Sequence, residues 1–166
     1  MAKRRRAKIK PTTVKKRPLA TRPTPKPDQN MRVARQAFGA WNAHDPDKLV
    51  KLIAQGYVSE SDTLPAPTRG SEGARQAMQI YINAFPDLHL DIEQMTASGD
   101  YVITRWRGAG THRGDLMGIP PTNRWAEVHG CSVAEYKNGK IVHEWVYWDT
   151  GHLLRQLGVL PAPPPR

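Results

Sequence analysis

Ala34, Ala37, Phe38 and Trp41 recur at the i, i+3, i+4, i+7 spacing of one helix face and predict a first helix from Asp28 to about Ala43. In "HDPDKLVKLIAQG" Asp45 is placed to cap a second helix, with Pro46 at the first helical position, where a missing N–H costs nothing. Leu49, Val50 and Ile53 form its apolar side and Gly56 ends it. "YVSESDTL" reads as a short strand, and after "PAPTRG" a third helix runs from about Glu72 to Phe85 on the stripe Ala74, Ala77, Met78, Tyr81, Ile82, Phe85. The period then changes from helical to two. Leu88, Leu90 and Ile92 alternate, Gly99-Asp100 turns the chain into "YVITRWRGAGTH", and a Gly/Pro-rich loop leads to a strand from about Trp125 to Tyr136. "KNG" then turns the chain into "KIVHEWVYW", and a short helix, Leu153 to Leu157, follows. Helices first and an antiparallel meander second predict an α+β fold, a curved antiparallel sheet wrapped around the N-terminal helices. A strongly curved sheet makes a cone with an apolar interior and an open mouth, a common place for a small-molecule site.

Length and charge divide this picture into a domain and tails. The 166 residues suit one domain. Of the 25 Lys and Arg, 11 fall in residues 1–30, against one of the 15 acids, leaving 14 of each sign for residues 31–166. The excess charge of +10 therefore belongs to the N-terminal segment. Residues 1–30 are basic, Pro-rich and nearly free of apolar side chains, and are expected to be disordered. Residues 31–160 are the domain, and 161–166 a Pro-rich C-terminal tail. Binding to nucleic acid or anionic surfaces, weak and nonspecific, is expected of residues 1–27 and not of the neutral domain. No run of about 18 apolar residues predicts a membrane span. The basic start lacks the apolar stretch of a secretory signal, and Cys131 is the single cysteine, so a reducing cytoplasm is the expected compartment.

The candidate chemistry gathers at the last strand. Trp145, Tyr147 and Trp148 run into Asp149. With "KNG" as a bulged turn, Tyr136 pairs with Lys140, Tyr147 lies opposite His129, and Asp149 opposite Glu127. That register puts His143, Trp145, Tyr147 and Asp149 on one inner face with Val133, Cys131, His129 and Glu127. A two-residue Asn-Gly turn would instead send His129 to the other face. On an apolar inner face Asp149 would be a stronger base than a solvated carboxylate, with His129 and Tyr147 as hydrogen-bonding partners of a substrate carbonyl. Asp149 also stands where the N-cap of "TGHLLRQL" belongs, and both roles are open. Trp145, Trp41 and Phe85 read as pocket wall or core. His129 reads equally as a core or dimer-face residue. His112 is placed at a pocket mouth or against its loop, and Arg105 to hold a substrate oxygen or to face outward with Arg107. His112, His129 and His143 match no compact zinc spacing, so no metal is expected. Met117, Ile119, Pro120 and Pro121 give the loop from Arg113 to Asn123 the character of a pocket cover or a dimer contact. Val142, Val146 and Trp148 fall on the outer face in the bulged register, which predicts a homodimer packed through the sheet.

The motifs "AFPDLHLDI", "GAGTHRGDLMGIPPTN", "NGKIVHEW" and "WDTGHLLRQLG", in this order, resemble the SnoaL-like polyketide (ester) cyclases of the nuclear transport factor 2-like superfamily. The similarity covers about residues 31–160. It implies a curved α+β barrel with a deep pocket, usually a homodimer, working without cofactor or metal. On the closing motif, the general acid/base of an intramolecular aldol ring closure falls on Asp149. The implied substrate is a small apolar carbonyl or ester compound. The superfamily also includes isomerases, epoxide hydrolases and non-catalytic binders, so the alternative is a small-molecule-binding or scaffold dimer with a polyanion-binding tail.

Overall fold

Apolar stripes on three helices meet one face of a six-stranded sheet in a computed structural model that describes residues 27–161. The tail expectations for residues 1–26 and 162–166 lie outside the described residues. The elements are α1 (Pro27–Asn42), α2 (Pro46–Val50), β1 (Ile53–Glu60), β2 (Thr68–Arg69), α3 (Gly70–Ala84), β3 (His89–Ser98), β4 (Tyr101–Thr111), β5 (Trp125–Lys137), β6 (Lys140–Trp148) and α4 (Thr150–Gln156). Residues 27–30 thus belong to the first helix, and Asn30 is fully buried. The sheet order is β2-β1-β6-β5-β4-β3. β3 to β6 form the antiparallel meander that the period-two segments predict. β1 joins it parallel to β6, and β2 adds a short antiparallel edge. β2 and β3 do not pair, so the curved sheet stays open.

The second helix is shorter than its pattern predicts. Asp45 caps it as expected, its Oδ1 accepting the Lys48 N–H at 3.0 Å. The helix ends at Val50, and Ile53 already belongs to β1. Leu49 and Ile53 share a helical spacing, yet Ile53 pairs with Ile141 on β6, and the Leu52 carbonyl accepts the Ile141 N–H at 3.0 Å. Sheet pairing overrides the local period. Gly56 therefore lies inside a strand and does not end a helix.

The final hairpin also departs from expectation. Asn138 and Gly139 both have positive φ, 53° and 73°, the signature of a two-residue type I′ turn. Tyr136 pairs with Ile141, and a bulge between Glu135 and Tyr136 then moves the register by one. Beyond it Cys131 faces Tyr147 and Val133 faces Trp145. Two offsets restore the predicted grouping, but the inner and outer labels are reversed. Along β4 the even residues Val102, Thr104, Trp106, Gly108 and Gly110 are buried, while Tyr101, Ile103 and Arg105 are exposed. Pairing carries the inner face to Ser132 and Ala134 on β5 and to Glu144, Val146 and Trp148 on β6. Val146 and Trp148 thus face inward, not toward a dimer partner.

Two apolar clusters fill the space between helices and sheet. One joins Ala34, Ala40, Met78, Val102, Tyr136 and Ile141; the other joins Ala84, Phe85, Leu116, Ala126, Leu153 and Leu157. Each such side chain, fully buried, contributes about 1.5–3 kcal/mol of transfer free energy if it is a large aliphatic or aromatic. α4 is further tied to β5, where Gln156 Nε2 donates to the Glu127 carbonyl at 2.7 Å and its Oε1 accepts the Glu127 N–H at 3.0 Å.

Candidate active site

The curvature leaves a cavity of about 200 Å³ between the helices and the concave face. Alternation puts small residues on this face, Gly108, Gly110, Ala126 and Ser132, which leave room beneath the helices. Large rings wall it instead. Trp41 and Tyr81 approach with ring centroids 6.3 Å apart, and Tyr81 meets Trp148 at 6.3 Å in an edge-on arrangement. Phe85 and Trp106 complete the aromatic wall. A second cavity of about 180 Å³ shares Thr63, Tyr81, Trp148 and Leu153 with the first and is closed by Leu116, Met117 and Ile119 of the 113–123 loop. Leu116 and Ile119 there bond each other's backbone at 3.0 Å in both directions, so the loop's apolar residues cover the cavity side of the fold.

Among the described residues only one carboxyl lines the main cavity, that of Glu144, and no Lys, Arg or His lines it. Tyr57 donates its hydroxyl proton to Glu144 Oε2 at 2.9 Å. Ser132 lines the cavity beside that carboxyl, diagonal to Glu144 on the same face of the sheet. Trp106 Nε1 donates to Ser132 Oγ at 3.0 Å, within the buried core. Glu144 is half-buried, its accessible surface being where it borders the apolar cavity. Desolvation therefore dominates and lifts the carboxyl above the ordinary carboxylate range, while the hydroxyls of Tyr57 and Ser132 oppose that rise. Burial, reinforced by the neighbouring Glu144 charge, pushes the Tyr57 phenol well above its usual value, so Tyr57 stays a donor at neutral pH. The arrangement can take up or release a proton inside an apolar space, beside a phenol that can donate to an oxygen.

Trp41 and Phe85 line this cavity as the sequence suggests; the other predicted site residues do not. Asp149 is the N-cap of α4: its Oδ1 accepts the His152 N–H at 2.8 Å, its Oδ2 lies 3.5 Å from Arg155, and its side chain is 66% exposed. Tyr147 is exposed, and Trp145 stacks on His143 with ring centroids 4.0 Å apart, both on the outer face. His129 sits on that face between Glu93 and Glu127, and Arg105 pairs with Glu93 at 3.3 Å. His112 is completely buried just past β4, its ring tilted against Phe85 with centroids 5.2 Å apart. Its Nδ1 lies 3.3 Å from the Thr122 N–H and 3.2 Å from its hydroxyl, so it bonds its own loop, and burial lowers its basicity.

Glu144, Tyr57, Ser132 and Trp106 escape the sequence reading because both faces of β5 and β6 carry apolar residues. The signal that finds them is on β4. Arg105 and Arg107 cannot both point into an apolar cone, so the even residues of β4 face inward, and pairing carries that parity to Ser132 and Glu144.

Among the described residues no group of His, Cys, Asp and Glu is placed to hold a metal ion, and no helix is long and apolar enough to cross a membrane. An open cone-shaped sheet around N-terminal helices, enclosing an apolar cavity with a single carboxyl, defines a nuclear transport factor 2-like fold. The profile of the SnoaL-like polyketide cyclase family matches residues 31–157, and the chain belongs to that family. AclR from Streptomyces galilaeus, a proposed hydroxylase, is similar in structure with a TM-score of 0.74 at 27% identity, over 84% of this chain and 87% of that one. TsrD from Streptomyces laurentii matches with a TM-score of 0.73 at 27% identity, over 80% and 97%. IdmH from Streptomyces antibioticus, a proposed polyketide cyclase, matches with a TM-score of 0.68 at 31% identity, over 79% and 99%. A search of curated protein sequences finds no match to the chain.

Proposed function

We propose that the protein is a cofactor-independent cyclase acting on a small, apolar, multi-carbonyl or ester compound, with Glu144 as its acid/base. The observation that carries this reading is the solitary carboxyl of Glu144 in an aromatic cavity, held by Tyr57 at 2.9 Å. In its ionised form Glu144 removes a proton from a carbon flanked by two carbonyls. The resulting enolate carbon attacks an internal carbonyl, forming the ring bond, and the acid form of Glu144 returns the proton to the new alkoxide. Once Glu144 has taken up the carbon proton its need for a donor falls, and the Tyr57 hydroxyl is released to donate to the developing oxygen charge. The family supports the reaction class, and the aromatic walls suit a flat substrate. Asp149 is the rival carboxylate: the closing motif favours it, but its exposure and its cap bond give Glu144 the stronger claim.

The test compares two isosteric variants on a panel of aromatic β-keto esters, with ring closure followed by NMR. Glu144→Gln is expected to lower turnover by about 10²–10⁴-fold, the usual worth of a positioned acid/base, and Asp149→Asn to leave it within a few-fold. The reverse ranking transfers the role to Asp149. A ligand that stabilises the protein and returns unchanged, with both variants alike, makes it a binding module.

A further inference from the structure

We propose that Ser132, locked by Trp106, is the positioning residue of the Glu144 carboxyl, donating the hydrogen bond that orients it and favours its charged form inside the cavity. The direction of the chain of bonds follows from valence. An indole N–H only donates, so at 3.0 Å Ser132 Oγ is the acceptor and its own proton remains free. Glu144 is the carboxyl that lines the cavity with it: Ala134 pairs with Glu144, which makes Ser132 the diagonal neighbour of Glu144 on the same inner face. Trp106 can lie flat enough to bond Ser132 only because its partner across the strands is Gly130. A Cβ at Gly130 would collide with the Trp106 ring.

Among the described residues, no Lys, Arg or His lines this space. The titratable groups around Glu144 are Tyr57 from β1, Tyr136 from β5 and Tyr81 from α3, all kept neutral by burial. The carboxylate charge is therefore held by hydroxyl donors alone, Tyr57 on one side and Ser132 on the other. The catalytic meaning of this relay rests on the role of Glu144 given above, but the relay itself is measurable without a substrate.

The experiment is a carbon-13 NMR titration of the full chain labelled at glutamate side-chain carboxyls, with the Glu144 signal assigned by its loss in Glu144→Gln. Ser132→Ala is expected to move the Glu144 midpoint upward by about one pH unit, as loss of one bond to a charged group implies. Trp106→Phe keeps the Ser132 hydroxyl but unlocks it, and is expected to shift the midpoint in the same direction by less. Ser132→Thr is expected to restore the parent value. An unchanged or lowered midpoint in folded Ser132→Ala overturns the inference. If that variant does not fold, an unchanged midpoint in Trp106→Phe overturns it equally. Loss of the proposed catalysis claim leaves these shifts in place, so the two ideas fail separately.

Discussion

Glu144 couples the cavity to stability as well as to chemistry. Its carboxyl is raised in the folded state and ordinary in the unfolded chain, so between those two values the folded protein binds more protons than the unfolded one. Stability contributed through this group is thus highest in acid, falls as pH rises across that window, and stays at the lower level above it. Lowered carboxyls elsewhere act with the opposite sign: Asp87, bonded by the Thr111 N–H at 2.6 Å, and Asp91, bonded by Arg107, stabilise as pH rises. A difference between two proteins isolates the buried group from these. Glu144→Gln should gain stability relative to the parent as pH increases from about 4 to 8, with the difference shrinking at the acid end. Urea melts at several pH values measure it, and parallel curves for the two proteins would mean that Glu144 is not desolvated. The same residue shows why a charged side chain inside a strand of aromatics is informative: position 144 stands out in "IVHEWVYW", where every inward neighbour is apolar.

At the scale of elements, α4 depends on Asp149, whatever the fate of the motif that points to it as a catalyst. The helix is short, and its first-turn N–H groups need a partner that the cap supplies at 2.8 Å. Asp149→Ala should cost about 0.5–2 kcal/mol, and Asp149→Asn only a few tenths, since both Asp and Asn serve well at that position. Thermal melts separate the two, and an Ala variant as stable as the parent would dismiss the cap. Such local rules were legible in the sequence: the Asp45 cap, the α1 and α3 stripes, and the meander from His89 onward follow from spacing alone, while for Asp149 spacing offered the cap beside a catalytic role. Nonlocal facts were not. The end of α2 is decided by pairing of Ile53 with Ile141, far along the chain, and the final register is decided jointly by the Asn138-Gly139 turn and the bulge between Glu135 and Tyr136. Helical and strand periods coincide over Leu49 to Ile53, and an aromatic side chain is equally at home in a core or at an interface, so Trp145 and Tyr147 gave no direction. The cavity could be expected from curvature, but its carboxyl required the inner face to be assigned correctly.

The whole molecule presents a second problem, the convex face of the sheet. Its centre is a grid of ion pairs satisfied within the chain: Arg107 to Asp91 at 2.5 Å and to Glu127 at 3.0 Å, with Arg105 on Glu93. Around it stand Tyr101, Ile103, Trp125 and Tyr147, each more than two-fifths exposed. These residues, and not Val146 or Trp148, are the apolar surface that argues for a homodimer through the sheet. Because the charges already have partners, association would draw on the aromatic rim, and area burial weakens little with salt. Sedimentation should therefore give the mass of two chains at micromolar concentration, unchanged from about 0.05 to 0.5 M salt. Ile103→Lys with Tyr147→Lys should give a folded single chain, since both side chains point away from the core. The basic N-terminal segment provides the control. Its 11 positive charges repel between copies, and any assembly mediated through bound nucleic acid would fall steeply over the same salt range. Deleting residues 1–26 should leave the dimer intact, because what remains, residues 27–166, carries nearly balanced charge, 14 Lys and Arg against 15 Asp and Glu. A single-chain mass for the full-length protein, or a dimer lost on that deletion, would remove the sheet from the role given to it here.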